Sequence, residues 1–189
     1  MVVLAGGEGR RIGGRKPLLM LAGERLIDRA LRQARTWSDL VAVAARDPAQ
    51  VEPLDTPIIS DDTQIAGPLA GLASALRFGA QARREFVLIM AADMPFVPRD
   101  LPARLVSAIG EASCAMASSG GQQHPVCGLW RTSVLDQLPA YLAGERRSLK
   151  GFASLVGCRE VEWPAGAPDP FFNINTGADL LEAQSRAGL

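Results

Sequence analysis

Residues Met1–Ala5 are apolar without a break, the pattern of a short strand buried on both faces. Over residues 24–37 the apolar positions take up a helical period instead, with Leu26, Ile27, Ala30, Leu31 and Ala34 on one face. The runs LVAVAA (40–45) and PIIS (57–60) predict two more strands. Residues 67–82 predict a helix whose glycines and alanines fit close packing against a sheet. FVLIMAAD (86–93) is the clearest strand in the chain and ends in an acid. A helix is predicted over 99–110, strands over 113–118 and 124–130, and a helix over 133–144 that Pro139 breaks or kinks. A short helix near 148–156, a strand over 158–163 and a helix from Ala178 complete the pattern. Strands alternating with helices define an α/β fold, a mostly parallel sheet covered on both faces. In such sheets ligands bind beyond the carboxyl ends of the strands. That rule points to the loop after the first strand and to Asp93.

Composition narrows the picture. The 189 residues fit a single domain spanning 1–189, and a hydrophobic fraction of 48% with 21% charged residues is ordinary for a globular protein. Twenty basic and twenty acidic residues cancel, so no overall field favours nucleic acid or an anionic membrane as partner. Any anion site must be local. No apolar stretch approaches the roughly 20 residues of a membrane span. No basic segment followed by an apolar core opens the chain, so a cytoplasmic location is expected. Cys114, Cys127 and Cys158 are odd in number and widely spaced, which gives neither a disulfide framework nor a metal pair; they read as reduced, mostly buried thiols.

The candidate anion site is the opening loop, LAGGEGRRIGGRKPLL (4–19). Gly6, Gly7, Gly9, Gly13 and Gly14 let backbone N–H groups approach an anion, and Arg10, Arg11, Arg15 and Lys16 bring positive charge. Neither familiar phosphate loop fits. The dinucleotide fingerprint fails at Ile12. The P-loop spacing from Gly9 to Gly14 is followed by Arg15-Lys16-Pro17, so the lysine is one place late and no hydroxyl follows it.

This stretch resembles the signature of the nucleotidyltransferase superfamily that includes the molybdenum cofactor guanylyltransferases: Leu-Ala-Gly-Gly, three variable residues, Arg-Met-Gly, then Lys and an apolar run. Arg11 and Ile12 take the Arg-Met places and Lys16 the lysine, with one residue fewer before it than the family usually has. Further blocks match in order: DDTQIAGPLAG (61–71), AADMPFV (91–97), the His124-Pro125 strand, AGERRSLKGF (143–152) and FFNINTGADL (171–180). Asp61 is the better match for the family's nucleotide-contacting acid, with Asp62 the alternative. Two departures stand out. Gly177 replaces a proline, and Ala44-Ala45-Arg46 stands where the family often has an asparagine.

The resemblance implies a three-layer α/β/α sandwich with a Rossmann-like sheet of the nucleotidyltransferase type. It implies transfer of GMP from GTP to Mo-molybdopterin, giving the guanine dinucleotide cofactor and pyrophosphate. Leu4, Ala5, Gly6 and Gly7 would bind base and ribose, with Asp61 contacting the nucleotide. Arg11 and Lys16 would stabilise the triphosphate, and Asp93 would hold Mg²⁺ beside GTP. These last three are the implied catalytic residues. His124, Arg146, Asn173 and Asn175 would lie on the pterin side, and Thr176 could cap the final helix. Transient contact with molybdenum-insertion proteins and with apo-molybdoenzymes or their chaperones is also implied. An attacking phosphate needs no strong base, which fits a chain with one histidine and no evident Ser-His-Asp set. Leu-Ala-Gly-Gly and Asn-Ile-Asn-Thr favour guanine over cytosine. Cytidylyl transfer to the same pterin, nucleotidyl transfer to a sugar phosphate and a non-catalytic nucleotide-binding module stay open as alternatives.

Overall fold

In the computed structural model, residues 1–6, 14–65, 67–144, 147–164, 166 and 169–188 are described. Among them the chain forms nine strands: β1 (Val2–Leu4), β2 (Met20–Leu21), β3 (Glu24–Arg25), β4 (Ala42–Ala45), β5 (Ile58–Ser60), β6 (Phe86–Ala91), β7 (Cys114–Ser119), β8 (Gln122–Arg131) and β9 (Cys158–Trp163). Six α-helices accompany them: α1 (Leu26–Trp37), α2 (Pro68–Gln81), α3 (Leu101–Ile109), α4 (Leu138–Leu142), α5 (Leu149–Val156) and α6 (Gly177–Arg186). Seven strands make one sheet in the order β5-β4-β1-β6-β8-β7-β9; β2 and β3 pair separately.

The sheet is buried on both sides because its strands alternate between two cores. Val3, Val43 and Met90 pack with Ile27 and Leu31 of α1 and Leu101 and Leu105 of α3. Val2, Leu4, Ala42, Ala44 and Ile89 pack with α2 and with Phe152 of α5. The period of two along β1 thus feeds two helix layers, and the three-layer α/β/α arrangement follows. Helix α2 is buried over most of its circumference, from Leu69 through Leu76, as its run of small residues allows.

Four strand pairings are parallel, and the two that involve β8 on β6 and β7 are antiparallel. The Gly120–Gly121 connection, with both φ angles positive, makes the two-residue hairpin turn that reverses β7 into β8. Strand β8 follows β6 only as far as the Ile89–Gly128 pair. Against β7, Gly128 pairs with Met116 and His124 with Ala117, so residues 125–127 bulge out of register. Pro125 sits in that bulge, where no ladder N–H is required of it. The bulge carries Val126 toward the end of β6 where Asp93 lies.

Pro139 starts a helix instead of kinking one: a 3-10 segment, Thr132–Gln137, hands over to α4 with the proline in its first turn. The β2–β3 hairpin and the 3-10 turns Lys16–Leu18 and Pro48–Gln50 are additions to the predicted elements. The cysteines are free thiols; Cys114 and Cys158 are register partners on β7 and β9. No described helix is long and apolar enough to cross a membrane.

Thr176 caps α6 with a reciprocal pair of bonds: its hydroxyl accepts the Asp179 N–H at 3.2 Å, and Asp179 Oδ2 accepts the Thr176 N–H at 2.8 Å. Thr176→Ala is expected to cost about 1 kcal/mol. At this chain length that lowers Tm by about 2–4 °C. Thermal melting of the variant beside the parent chain checks it.

Candidate active site

The carboxyl ends of β1, β4, β5 and β6 meet at one rim of the sheet. Backbone bonds extend the ladder past the strands there: Ala5 N–H to the Ala44 carbonyl at 2.8 Å, Asp61 N–H to Ala45 at 3.0 Å and Ala92 N–H to Leu4 at 2.9 Å. The chain leaves β1 in one direction for β4 and β5, then returns to β6 on its other side. Ligand clefts form at such a switch point. A cleft of about 160 Å³ lies here, lined by Leu4, Ala5, Gly6, Lys16, Asp61, Gly67, Asp93, Val126 and Asn173 among others.

Lys16 enters the cleft from the 3-10 turn that follows Arg15, whose φ of 48° reverses the chain. The loop that is one residue short therefore still delivers this side chain to the rim. Its ammonium donates to Asp93 Oδ2, to Asn175 Oδ1 at 2.8 Å and to Asn173 Oδ1 at 3.3 Å. An ammonium only donates, so both amides must turn their oxygens toward it. One carboxylate and two amide oxygens thus converge on a single cation. Asp93 Oδ1 is buried with no partner among the described residues. Burial pushes the Asp93 carboxyl above its ordinary range, and the adjacent Lys16 charge opposes that shift.

Asp61 is the second buried carboxylate of the cleft. Its Oδ1 has no hydrogen-bond partner among the described residues. Desolvation pushes its pKa up to about 6, against the attraction of Arg46. Its Oδ2 lies so close to Gly6 that a Cβ at position 6 would overlap it. Asp62 faces away from this arrangement: it accepts from the Gln64 N–H at 3.0 Å and from Arg77 at 3.1 Å. Ala44 lines the cleft where the resemblance leads one to expect an asparagine.

The remaining candidates distribute unevenly. Leu4, Ala5, Gly6, Lys16, Asp61, Asp93 and Asn173 line the cleft, and Asn175 reaches it through Lys16. Gly7, Arg11 and Arg146 lie outside the described residues. His124 is 5% exposed and is not among the lining residues. Its Nε2 lies 2.7 Å from Ser119 Oγ, which also donates to Asp169 Oδ1 at 2.9 Å. A Ser-His-Asp set therefore exists that the sequence does not reveal, but its order is wrong for nucleophilic catalysis. The aspartate accepts from the serine instead of orienting the histidine.

The donor set fits a magnesium ion. Among the described residues no group of three or more His, Cys, Asp or Glu side chains gathers at one point. Magnesium does not need one; it takes one or two carboxylates, hard oxygens and substrate phosphates. Asp93 Oδ2, Asn173 and Asn175 face the Lys16 ammonium, and Asp93 Oδ1 has no partner among the described residues, which leaves a hard carboxylate oxygen for such an ion.

Fold and cleft together define a nucleotidyltransferase. The family model described as MobA-like NTP transferase domain matches residues 1–157. A molybdenum cofactor guanylyltransferase of Cereibacter sphaeroides is 39% identical over 188 residues, 97% of this chain and 94% of that protein. One from Acidiphilium cryptum is 40% identical over 188 residues, covering 97% and 93%. The solved molybdopterin-guanine dinucleotide biosynthesis protein A from Archaeoglobus fulgidus is 26% identical, covers 99% of this chain and 97% of its own, and superposes with a TM-score of 0.78. The chain belongs to the MobA-like NTP transferase family.

Asp61 sets a pH test. Its folded pKa lies above the ordinary carboxylate value, so the folded state holds a proton that the unfolded state releases between about pH 4 and pH 6. Its ionised form is a burden on stability that grows as pH rises through that window. Asp61→Asn is therefore expected to melt higher than the parent at pH 7 and to lose that advantage by pH 4. Paired melting curves across the range read this directly.

Proposed function

We propose that this chain transfers GMP from GTP to Mo-molybdopterin, forming molybdopterin guanine dinucleotide and releasing pyrophosphate. The observation that supports the reading is the pair of buried carboxylates in one cleft, each with an oxygen that has no partner among the described residues. Each pairs with a different kind of ligand group. Asp61 lies against Gly6 and can accept the N1–H and N2–H₂ edge of guanine, an edge cytosine does not present. Asp93 lies beside the Lys16 ammonium, where a triphosphate and its counter-cation would meet.

Leu4, Ala5, Gly6 and Gly7 hold base and ribose through the backbone. Arg11 and Lys16 neutralise the triphosphate and the leaving group. Asp93 would hold Mg²⁺, which when bound screens the triphosphate charge. The terminal phosphate of the pterin attacks the α-phosphorus of GTP in line. A P–O bond forms there, and the bond to the β-phosphate breaks with its electron pair leaving on pyrophosphate. The attacking phosphate is already ionised near neutral pH, so no strong base is asked of the protein. Positioning and charge neutralisation carry the rate. On the pterin side Asn173 and Asn175 are the candidates at the cleft. Recipient molybdoenzymes, insertion proteins and chaperones are expected to meet this rim only transiently, and a cytoplasmic location suits those substrates.

Pyrophosphate release from Mg²⁺, Mo-molybdopterin and either GTP or CTP tests the reading. Release with GTP alone is expected, and Asp93→Ala should lower it on the order of 100-fold. Release with CTP alone would keep the chemistry and overturn the base. Release with neither, beside tight GTP binding, would favour a binding module.

Gly6 carries a sharper expectation. A methyl at this position must displace the Asp61 carboxylate. Gly6→Ala should therefore lower the preference for GTP over CTP by about 10-fold or more, measured as the ratio of the two kcat/KM values. An unchanged ratio would remove Asp61 from base selection.

A further inference from the structure

A largely buried polar cluster lies outside the residues that line the cleft, and the transfer mechanism makes no use of it. Ser119 closes β7 and His124 lies in β8, both nearly inaccessible at 4% and 5% exposure. Ser119 Oγ bridges His124 Nε2 at 2.7 Å and Asp169 Oδ1 at 2.9 Å. The same Asp169 oxygen accepts the Phe171 N–H at 2.9 Å. The Phe171 ring stacks on His124 with centroids 4.7 Å apart and meets Trp163 edge-on at 5.3 Å.

The proton count fixes the direction of this relay. A serine hydroxyl has one proton, and an ionised carboxylate can only accept. Ser119 therefore gives its proton to Asp169, and His124 must donate Nε2–H to Ser119. The hydrogen bonds run one way, from His124 through Ser119 to Asp169, and end on the segment 169–176 that leads into α6. That segment forms neither helix nor strand, yet it carries Asn173 and Asn175. At its far end it is held by Ile174 N–H on the Asp93 carbonyl at 3.0 Å and by the Asn175 N–H on Asp179 at 2.8 Å.

We propose that Ser119, His124 and Asp169 are positioning residues that set where Asn173 and Asn175 stand relative to Asp93 and Lys16. The histidine acts through the segment and not on substrate. Two amide oxygens on an irregular stretch would otherwise wander by more than the fraction of an ångström that phosphoryl chemistry allows. The buried anchor at one end and the α6 cap at the other hold the stretch taut. The effect on turnover rests on the guanylyl-transfer reading; the effect on the asparagines does not.

Ser119→Ala, His124→Phe and His124→Gln in the full chain separate the cases. Phenylalanine keeps the stack on Phe171 and loses the donor; glutamine keeps an N–H donor. All three are compared below their melting temperatures, so that loss of fold is scored apart. Nitrogen NMR of the parent chain should show His124 protonated at Nε2. The side-chain amide signals of Asn173 and Asn175 should shift or broaden in Ser119→Ala and His124→Phe, and return toward parent positions in His124→Gln. Pyrophosphate release should lose about 10-fold or more in kcat in the first two variants. The KM for GTP should stay within about 2-fold, because the base-binding residues are untouched. Unmoved asparagine signals in folded Ser119→Ala would overturn the proposal, as would an Nδ1–H tautomer in the parent. An equal loss in the glutamine variant would overturn the donor role. If the parent releases no pyrophosphate from GTP, the functional reading fails, and the asparagine signals alone decide the positioning role.

Discussion

One ammonium group gathers the working end of this molecule. Lys16 Nζ is met by Asp93, 77 residues away, and by Asn173 and Asn175, 157 and 159 residues away. Three separate pieces of architecture must agree for that meeting to occur. The turn after Arg15 must lift the lysine over the rim. Strand β6 must end where Asp93 leaves the sheet. The stretch before α6 must return across the strand ends. A buried cation among acceptors is stable only when its oxygens are close and fixed, so the precision of the cleft and the cohesion of its three walls are the same property.

The cleft also divides its work by charge state. Asp61 is held against its own ionisation by burial, and one of its oxygens has no partner among the described residues. Such a group costs stability in the empty protein and recovers that cost when a ligand donates to it. Among the described residues Asp93 has a close cation partner and Asp61 has none as close, so the two acids differ in surroundings although both follow parallel strands. The proposed roles, phosphate for Asp93 and base for Asp61, rest on that difference. The absence of a side chain at Gly6 leaves room for the Asp61 carboxylate.

Much of the fold can be read in the chain because the sheet is buried on both faces. Runs such as FVLIMA have no polar alternation to blur them, and α1, α2, α3, α5 and α6 fall within two residues of their predicted bounds, whereas the helix predicted over 133–144 divides into a 3-10 segment and the short α4. Pairing direction is harder to read. The reversal at Gly120–Gly121 lies between two strands that each look suitable for a parallel sheet, and the Pro125 bulge becomes a feature only once its neighbours are known. The β2–β3 hairpin is too short for any periodicity to register. Among the candidate site residues, Lys16, Asp61 and Asp93 stand out because each follows an apolar run or a glycine-rich turn. The Ser119–His124–Asp169 cluster does not, since serine and aspartate 50 residues apart carry no spacing signal and the histidine sits in an otherwise ordinary strand.

The most direct test is a crystal structure of the chain with GTP bound. The account requires the guanine edge within hydrogen-bond distance of Asp61, the ribose over Leu4–Gly6, and the triphosphate beside Lys16 and Asp93. A base whose edge turns away from Asp61, or a triphosphate that leaves the Lys16 ammonium among its three oxygens untouched, would contradict it.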